Sequence, residues 1–378
     1  MVLMPKALQK RFGKHWTNMK KRVLLIANEY TTIVNFRMEL VSALIRKGHT
    51  VSVALPLHER VAEIRALGCE VYSLPIDRKS KNPLKDFMII RHICKILKAF
   101  KPDMVFTFTI KPNVYGGIAC ALNHVPYVST ITGLGSSIQN GGVMQQFSLL
   151  LYRLGLRNAQ KVFFQNIANR DVLCNNKIYT GAYEMIPGSG VNLDRFHLME
   201  YPAGEKINFV FVARVMKEKG IEEFFEAVKY IKAKYPQCYF HICGPYEGAY
   251  ETQLKDLEQR GIVVYHGMVS DMPRIYKFAH CIIHPSYHEG MANVLLESAA
   301  CGKAIICSNI NGCKEAVVDG VNGLLADVKS AESLKRKIEQ FVLLSHEEQR
   351  SMGLAGRKKM EHEFDRNIVV NKYLKELR

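Results

Sequence analysis

The 378-residue sequence predicts an α/β protein built as two tandem Rossmann-like, doubly wound domains facing across a cleft. Three observations predict it. Continuous runs of β-branched and aliphatic residues, such as RVLLIA at 22–27 and TVSVAL at 50–55, alternate with helix-length segments along the chain; this is how parallel strands buried on both faces read. The alternation breaks once, in the Gly-, Pro- and Asn-rich stretch at 188–204 (GSGVNLDRFHLMEYPAG), and then restarts. The length also suits two domains of ordinary size, each with a substantial core.

Taken in order, residues 1–20 form a basic extension with no apolar h-region, so secretion is not expected. The first domain spans 21–195. After the strand at 22–27 a helix is expected over 35–47 with Gly48 as its stop, then strands at 50–55, 70–74, 103–109, 127–131, 161–165 and 184–187. Clustered Gly, Pro and Asn place the linker near 188–204. The second domain spans 205–361. It opens with INFVFVA at 207–213 and continues through a helix from Gly220, CYFHIC, a helix at 250–259, IVVYH, a short helix and CIIHPS. A further helix follows, then AIICS, the turn-rich 311–326 and charged helices, the last of which (362–378) is expected to pack back on the first domain.

Composition narrows the function. With 48% hydrophobic residues and no low-complexity tract the chain is globular. The ten cysteines are scattered without a CxxC pair, which points to reduced, mostly buried thiols in a cytosolic protein. The 13 histidines show no HxH or HExxH grouping, and no metal site is expected. No apolar run reaches the length of a membrane span; the best, FSLLLYRLGL at 147–156, is short and contains Arg153. Residues 1–200 carry 27 Lys and Arg against 12 Asp and Glu, a net +15, whereas 201–378 carry 25 against 23, a net +2. The basic half seeks a polyanion: anionic lipid, nucleic acid or a phosphate-rich substrate.

The chemistry centres on EGMANVLLESAACGKAII at 289–306, where Glu289 and Glu297 flank a helix entry. Apolar residues recurring at three and four argue a helix with one buried face, with Gly290 and Asn293 suiting its entry and Gly302 its stop. If most of the interval is helical the two acids lie roughly 12 Å apart, too far for the about 5 to 10 Å of a glycosidase pair. The span suits one extended ligand with hydroxyls at both ends and phosphate on the helix N–H groups between, which describes a nucleotide sugar. On spacing alone, a buried amphipathic helix with two solvated acids is the better reading. Arg214 after the strand at 207–213, and Lys219 with Gly220 at a helix start, are placed to neutralise a diphosphate leaving group.

These features form an ordered series: Arg214, Lys219-Gly220, Cys243-Gly244-Pro245, His266-Gly267-Met268, Pro285-Ser286, Glu289-Gly290 with Glu297, and the NGCKE and DGVNG turns near 311–323. The series resembles the GT-B retaining glycosyltransferases of family 4. The similarity covers nearly the whole chain, including Gly190-Val191-Asn192. It is nearer to bacterial enzymes that extend undecaprenyl-diphosphate-linked sugars, with NFR at 35–37, RKSKNP at 78–83, TIKPNVYGG at 109–117 and TGLG at 132–135 as first-domain features.

The resemblance implies that Arg214, Lys219 and Glu289 carry the transfer, Glu289 on the sugar hydroxyls and the two cations on the diphosphate. It implies ribose contacts from Glu297, main-chain contacts to sugar and diphosphate from Gly290, Met291, Ala292, Asn293 and Val294, and a base site near Gly244, His266, Gly267 and Met268. Thr132 and Gly133 are first-domain donor contacts by the same token. Thr132 stands where many relatives carry histidine, and NEYTT at 28–32 replaces their Gly-Gly loop. The implied reaction is retaining transfer from a UDP-sugar without metal or other cofactor, two cations replacing a divalent ion.

On the acceptor side, Arg78, Lys79, Lys81 and Lys85 precede a basic amphipathic helix at about 84–100, which suits an anionic membrane surface and a prenyl-diphosphate-linked sugar as well as it suits ordinary packing on the sheet. Asn35, Arg37 and Lys111 are further acceptor candidates. The expectation is a cytoplasmic enzyme, peripheral on the inner face of the membrane, that does not bind nucleic acid. The rivals are a UDP-N-acetylglucosamine 2-epimerase-like enzyme on the same fold and a basic nucleic-acid-binding protein, the latter without any recognised motif.

Overall fold

The computed structural model describes residues 20–76, 83–135, 138 and 142–377. The chain divides into two compact units, one running to Ser189 and resuming at Asn367, the other Gly190–Arg366. The basic extension, apart from residue 20, and Arg78, Lys79 and Lys81 lie outside the described residues.

The amino-terminal unit holds seven strands: β1 (Arg22–Ile26), β2 (Thr50–Leu55), β3 (Glu70–Ser73), β4 (Met104–Phe108), β5 (Tyr127–Ile131), β6 (Lys161–Phe164) and β7 (Tyr183–Met185). They form one parallel sheet in the order β3-β2-β1-β4-β5-β6-β7. The apolar runs read as buried strands because both faces are covered: Leu24 and Ile26 enter one core, Val23 and Leu25 the other. The expected helix at 35–47 is two, Tyr30–Val34 and Met38–Arg46. The break falls at Arg37, whose φ of −139° is not helical.

Two devices tighten this unit. The TIKPN segment is a polar knot: Thr107 Oγ1 donates to Asn113 Oδ1 at 2.8 Å, and Asn113 Nδ2 donates to the Thr130 carbonyl at 2.8 Å. Then the helix Gly142–Leu156 packs on the segment 112–122 at glycine distance. A Cβ on Gly117 would lie 1.8 Å from the Gly155 oxygen, and one on Gly155 would lie 2.5 Å from Val114 Cα. Only the absent side chains permit the approach. The C-terminal helix Arg366–Lys375 contributes Tyr373, whose ring meets Phe106, Phe108 and Phe163 and whose hydroxyl is 2.6 Å from Thr130 Oγ1.

The second unit holds β8 (Ile207–Val212), β9 (Cys238–Cys243), β10 (Val263–Gly267), β11 (Cys281–His284), β12 (Ala304–Ser308) and β13 (Gly323–Ala326), all parallel in the order β10-β9-β8-β11-β12-β13. β13 occupies part of the expected turn-rich stretch. Strand order reverses between β8 and β11, so the loops leaving these two strands diverge and open a crevice beyond their carboxyl ends. No helix among the described residues is long and apolar enough to cross a membrane.

Candidate functional site

The crevice beyond β8 and β11 holds one buried carboxylate between two nitrogen donors. Glu289 Oε1 accepts from Lys219 Nζ at 2.5 Å and lies 2.8 Å from His284 Nε2. His284 ends β11 and is 3% exposed, so its ring is a fixed wall of the site. Burial alone would raise the Glu289 carboxyl, but the His284 bond and the Lys219 charge outweigh it and hold the group down at about 2. An ionised carboxylate only accepts, so His284 Nε2 carries the proton of that bond. Its other ring nitrogen, Nδ1, is buried with no hydrogen-bond partner among the described residues.

Local backbone fixes this geometry. Lys219 closes the 3₁₀ turn Lys217–Lys219, and Gly220, with φ 71°, starts the helix Ile221–Lys234; Lys219 therefore stands before the helix rather than in it. The turn is tied to the loop after β11, because Tyr287 N donates to the Glu218 carbonyl at 2.9 Å and Tyr287 Oη donates to Glu223 Oε1 at 2.6 Å. A Cβ on Gly220 would sit 2.1 Å from the Pro285 carbonyl oxygen, and one on Gly312, where φ is 89°, would sit 2.7 Å from the backbone carbonyl oxygen of Glu289. Glycine at both positions lets three loops converge on one carboxylate.

The helix beyond Glu289 is Asn293–Ala300, capped by Ala292 without a side-chain bond. The helix begins at Asn293, as expected, but Ala292 and not Gly290 precedes it as the cap, and with only half of the interval helical the rise estimate for Glu289 to Glu297 does not apply. Ala292 N donates to the Gly312 carbonyl at 2.8 Å, so the loop after β12 anchors the helix start. Met291 and Ala292 are buried; Gly290, Asn293 and Val294 are half-buried. Glu297 accepts from Tyr276 Oη at 3.3 Å. Burial pushes its carboxyl up to about 7, against the pull of Arg366, Arg195 and Tyr276.

Arg214 follows β8 with an exposed side chain that makes no hydrogen bond or ion pair with any described residue. Gly244, with φ 139°, lies where a Cβ would meet the Ala213 oxygen at 2.0 Å, and its N–H donates to the Gly267 carbonyl at 2.7 Å. His266 turns its ring onto His241, Nε2 to Nδ1 at 3.0 Å, and burial holds both rings below the usual histidine range, His241 at about 4. Met268 is exposed. In the second unit, then, Lys219 and Glu289 are brought into direct contact, while Arg214 has no side-chain partner among the described residues.

In the amino-terminal unit Gly133, with φ 149°, has no described residue within 4 Å of where a Cβ would be, and Thr132 beside it is half-buried. Asn35 Oδ1 accepts from Arg60 Nη1 at 3.4 Å. Lys111 Nζ pairs with Asp86 Oδ1 at 2.9 Å. Arg37 departs from its expected place as an acceptor contact: it is 5% exposed, its guanidinium lies 4.1 Å over the Phe108 ring, and Nη1 donates to the Thr32 carbonyl at 2.9 Å. Among the described residues no group of three or more His, Cys, Asp or Glu is arranged to hold a metal ion.

Comparison with known proteins identifies the family. The model for glycosyl transferases group 1 matches residues 200–359, and that for glycosyl transferase 4-like proteins matches residues 22–166. The chain is a glycosyltransferase of this family. Over 375 residues the glycosyltransferase is 28% identical to the N,N'-diacetylbacillosaminyl-diphospho-undecaprenol α-1,3-N-acetylgalactosaminyltransferase of Campylobacter jejuni, covering 94% of this chain and 97% of that one. It is 28% identical over 271 residues to the UDP-Gal:α-D-GlcNAc-diphosphoundecaprenol α-1,3-galactosyltransferase of Escherichia coli, covering 66% and 69%. Among solved structures, HepE of Anabaena in complex with UDP-glucose superposes with a TM-score of 0.76 at 17% identity, covering 94% and 98%. The fold is accordingly GT-B, and the second unit of the glycosyltransferase coincides with the group 1 match.

His284 and Tyr276 are site residues that the sequence did not single out. His284 had a usable signal, since it is the last residue of a buried strand, the position at which a parallel sheet displays side chains to a ligand. Tyr276 had none.

Proposed function

We propose that the enzyme is a metal-independent, retaining glycosyltransferase that moves a hexose or N-acetylhexosamine from a UDP-sugar to an undecaprenyl-diphosphate-linked glycan, working as a peripheral protein on the cytoplasmic face of the membrane. One observation carries the donor half of the reading: an ionised, buried Glu289 between Lys219 and His284 at the carboxyl ends of β8 and β11. A carboxylate kept charged in a crevice suits the hydroxyls of a sugar, each of which needs an acceptor for its proton. The names of the Campylobacter and Escherichia relatives support the lipid-linked acceptor.

The residues divide the work as follows. Glu289 orients the sugar and Glu297 the ribose. Lys219 has three N–H donors and spends one on Glu289, so it can meet a diphosphate oxygen without leaving the carboxylate. Arg214, without a side-chain partner among the described residues, supplies a planar fork to the same diphosphate. As the bond from the anomeric carbon to the phosphate oxygen breaks, charge builds on UDP, and these two cations stabilise it. The acceptor hydroxyl forms its bond on the same face, and its proton passes to the departing phosphate, so the anomeric configuration is kept. Asn35 and Lys111 are the acceptor contacts in this reading.

A donor panel assayed with membrane lipid extract tests it. The expected result is UDP release together with an extended lipid-linked glycan, unaffected by a chelator and abolished by Glu297→Ala. Strict metal dependence, or epimerised UDP-sugar formed without acceptor, would overturn the reading.

A further inference from the structure

The helix Gly142–Leu156 of the amino-terminal unit is apolar on two opposite faces, and the described residues cover only one. Leu149, Tyr152 and Leu156 point inward and are buried in the core. Met144, Phe147, Leu150 and Leu154 recur at three and four along the other side and are exposed, Phe147 by 53% and Leu150 by 50%. At 100° per residue these four fall within one stripe roughly 120° wide. The helix contains no acidic residue, and its only charge is Arg153.

The helix Pro83–Phe100 packs on the same segment, 112–122, and belongs to the same core. Its outward face begins with Phe87 (58% exposed) and Met88 and continues with the exposed cations Arg91, Lys95 and Lys98. Its one acid, Asp86, is tied to Lys111. Two helices that both pack on the 112–122 segment therefore present, on one side of the sheet, an apolar row and a basic row without an exposed acid in either helix. Exposed apolar patches of this kind mark interaction surfaces, and the charge beside this one selects the partner.

We infer that the outer face of Gly142–Leu156 enters the head-group layer of an anionic lipid bilayer, with Phe147 and Leu150 as the inserting residues and Arg91, Lys95 and Lys98 holding the lipid phosphates. Apolar side chains give depth and cations give anionic preference; together they anchor a protein more firmly than either alone. A protein partner with an apolar groove would not call for the uncompensated cations, and a second copy of this chain would bring the same cations against one another. The inference rests on the lipid-linked-acceptor reading for its purpose, but not for its evidence on vesicles.

The test is flotation of the full chain with vesicles containing phosphatidylglycerol and with vesicles of phosphatidylcholine alone. Phe147→Glu/Leu150→Glu is compared with Leu343→Glu, which changes an exposed apolar residue of the other unit. The expected result is binding to the anionic vesicles that survives moderate salt in part, falls on the order of tenfold or more in the double variant and is unchanged in Leu343→Glu. Circular-dichroism spectra and thermal melting of both variants match the wild type, which shows that they fold, and UDP-sugar binding without vesicles is also unchanged. The inference is overturned if the double variant floats like the wild type, if moderate salt removes all binding, or if light scattering finds a dimer that only this variant breaks. Failure of UDP-sugar binding in the wild type would instead count against the proposed function and leave the vesicle result standing.

Discussion

Lys219→Met removes a charge and keeps most of a side-chain stem, which makes it the sharpest probe of the site. The Glu289 carboxyl is held at about 2, against an ordinary value of 4.5. At about 1.4 kcal/mol per pKa unit, that displacement corresponds to about 3 kcal/mol in favour of the folded, ionised state at neutral pH. Glu289 is only 14% exposed, so solvent screens little of it. Because the folded value lies below the unfolded one, this stabilisation is present above pH 4.5 and is lost as pH falls towards 2.

Removing Lys219 leaves the burial penalty in place with one of its two opposing charges and donors gone and the His284 bond kept, so the variant is expected to lose about 2 to 3 kcal/mol at pH 7. Its deficit against the wild type should shrink between pH 4.5 and 2 as Glu289 becomes protonated. Hydrogen exchange of β8 and β11 across a pH series reads both effects locally. Adding Glu289→Gln to Lys219→Met should recover part of the loss, since no unpaired buried charge is left. A stability equal to wild type at pH 7, or a deficit of the same size at pH 2, would refute the electrostatic account of this pair.

Glu297, raised to about 7 by burial against Arg366, Arg195 and Tyr276, favours the fold when protonated, and that contribution is lost as pH rises from 4.5 to 7. If its ionised form holds the ribose, UDP affinity rises from pH 6 to 8 and Glu297→Gln flattens the profile in calorimetric titrations; a flat wild-type profile contradicts the role. His284→Phe should lower kcat/KM for the UDP-sugar by roughly ten- to a hundredfold, the worth of a charge-assisted hydrogen bond, with partial recovery in His284→Gln, whose amide can reach as the ring nitrogen does. Full activity of the Phe variant would remove His284 from the site. Gly312→Ala places a Cβ 2.7 Å from the backbone carbonyl oxygen of Glu289 at φ 89°, so a melting temperature lowered by several degrees is expected; an unchanged one would mean that the loop gives way freely.

The strands were legible because burial on both faces leaves no polar alternation: RVLLI, TVSVAL and AIICS could be little else. β13 escaped because Gly323–Ala326 is four residues long and follows a turn cluster. The two-helix entry at 30–46 was hidden because periodicity continues through Arg37 while the backbone does not. The site was legible as a roster and illegible as a set of contacts. Lys219 and Glu289 are separated by 70 positions, and no local pattern announces that one neutralises the other. Arg37 read as a cation available to a ligand because sequence shows charge and not the Phe108 ring above which it is buried.

The glycine contact between Gly155 and the 112–117 segment bears on more than packing. A helix that is apolar on both sides has no preferred way up; what orients it is the side that can approach closest, and here that is the side where two glycines remove the spacing a side chain would impose. The inner contact thereby fixes the angle at which the outer row is displayed. Drift at 117 or 155 towards alanine would lever the helix outward and tilt that row, altering how the enzyme meets its surroundings without touching a single residue of the crevice.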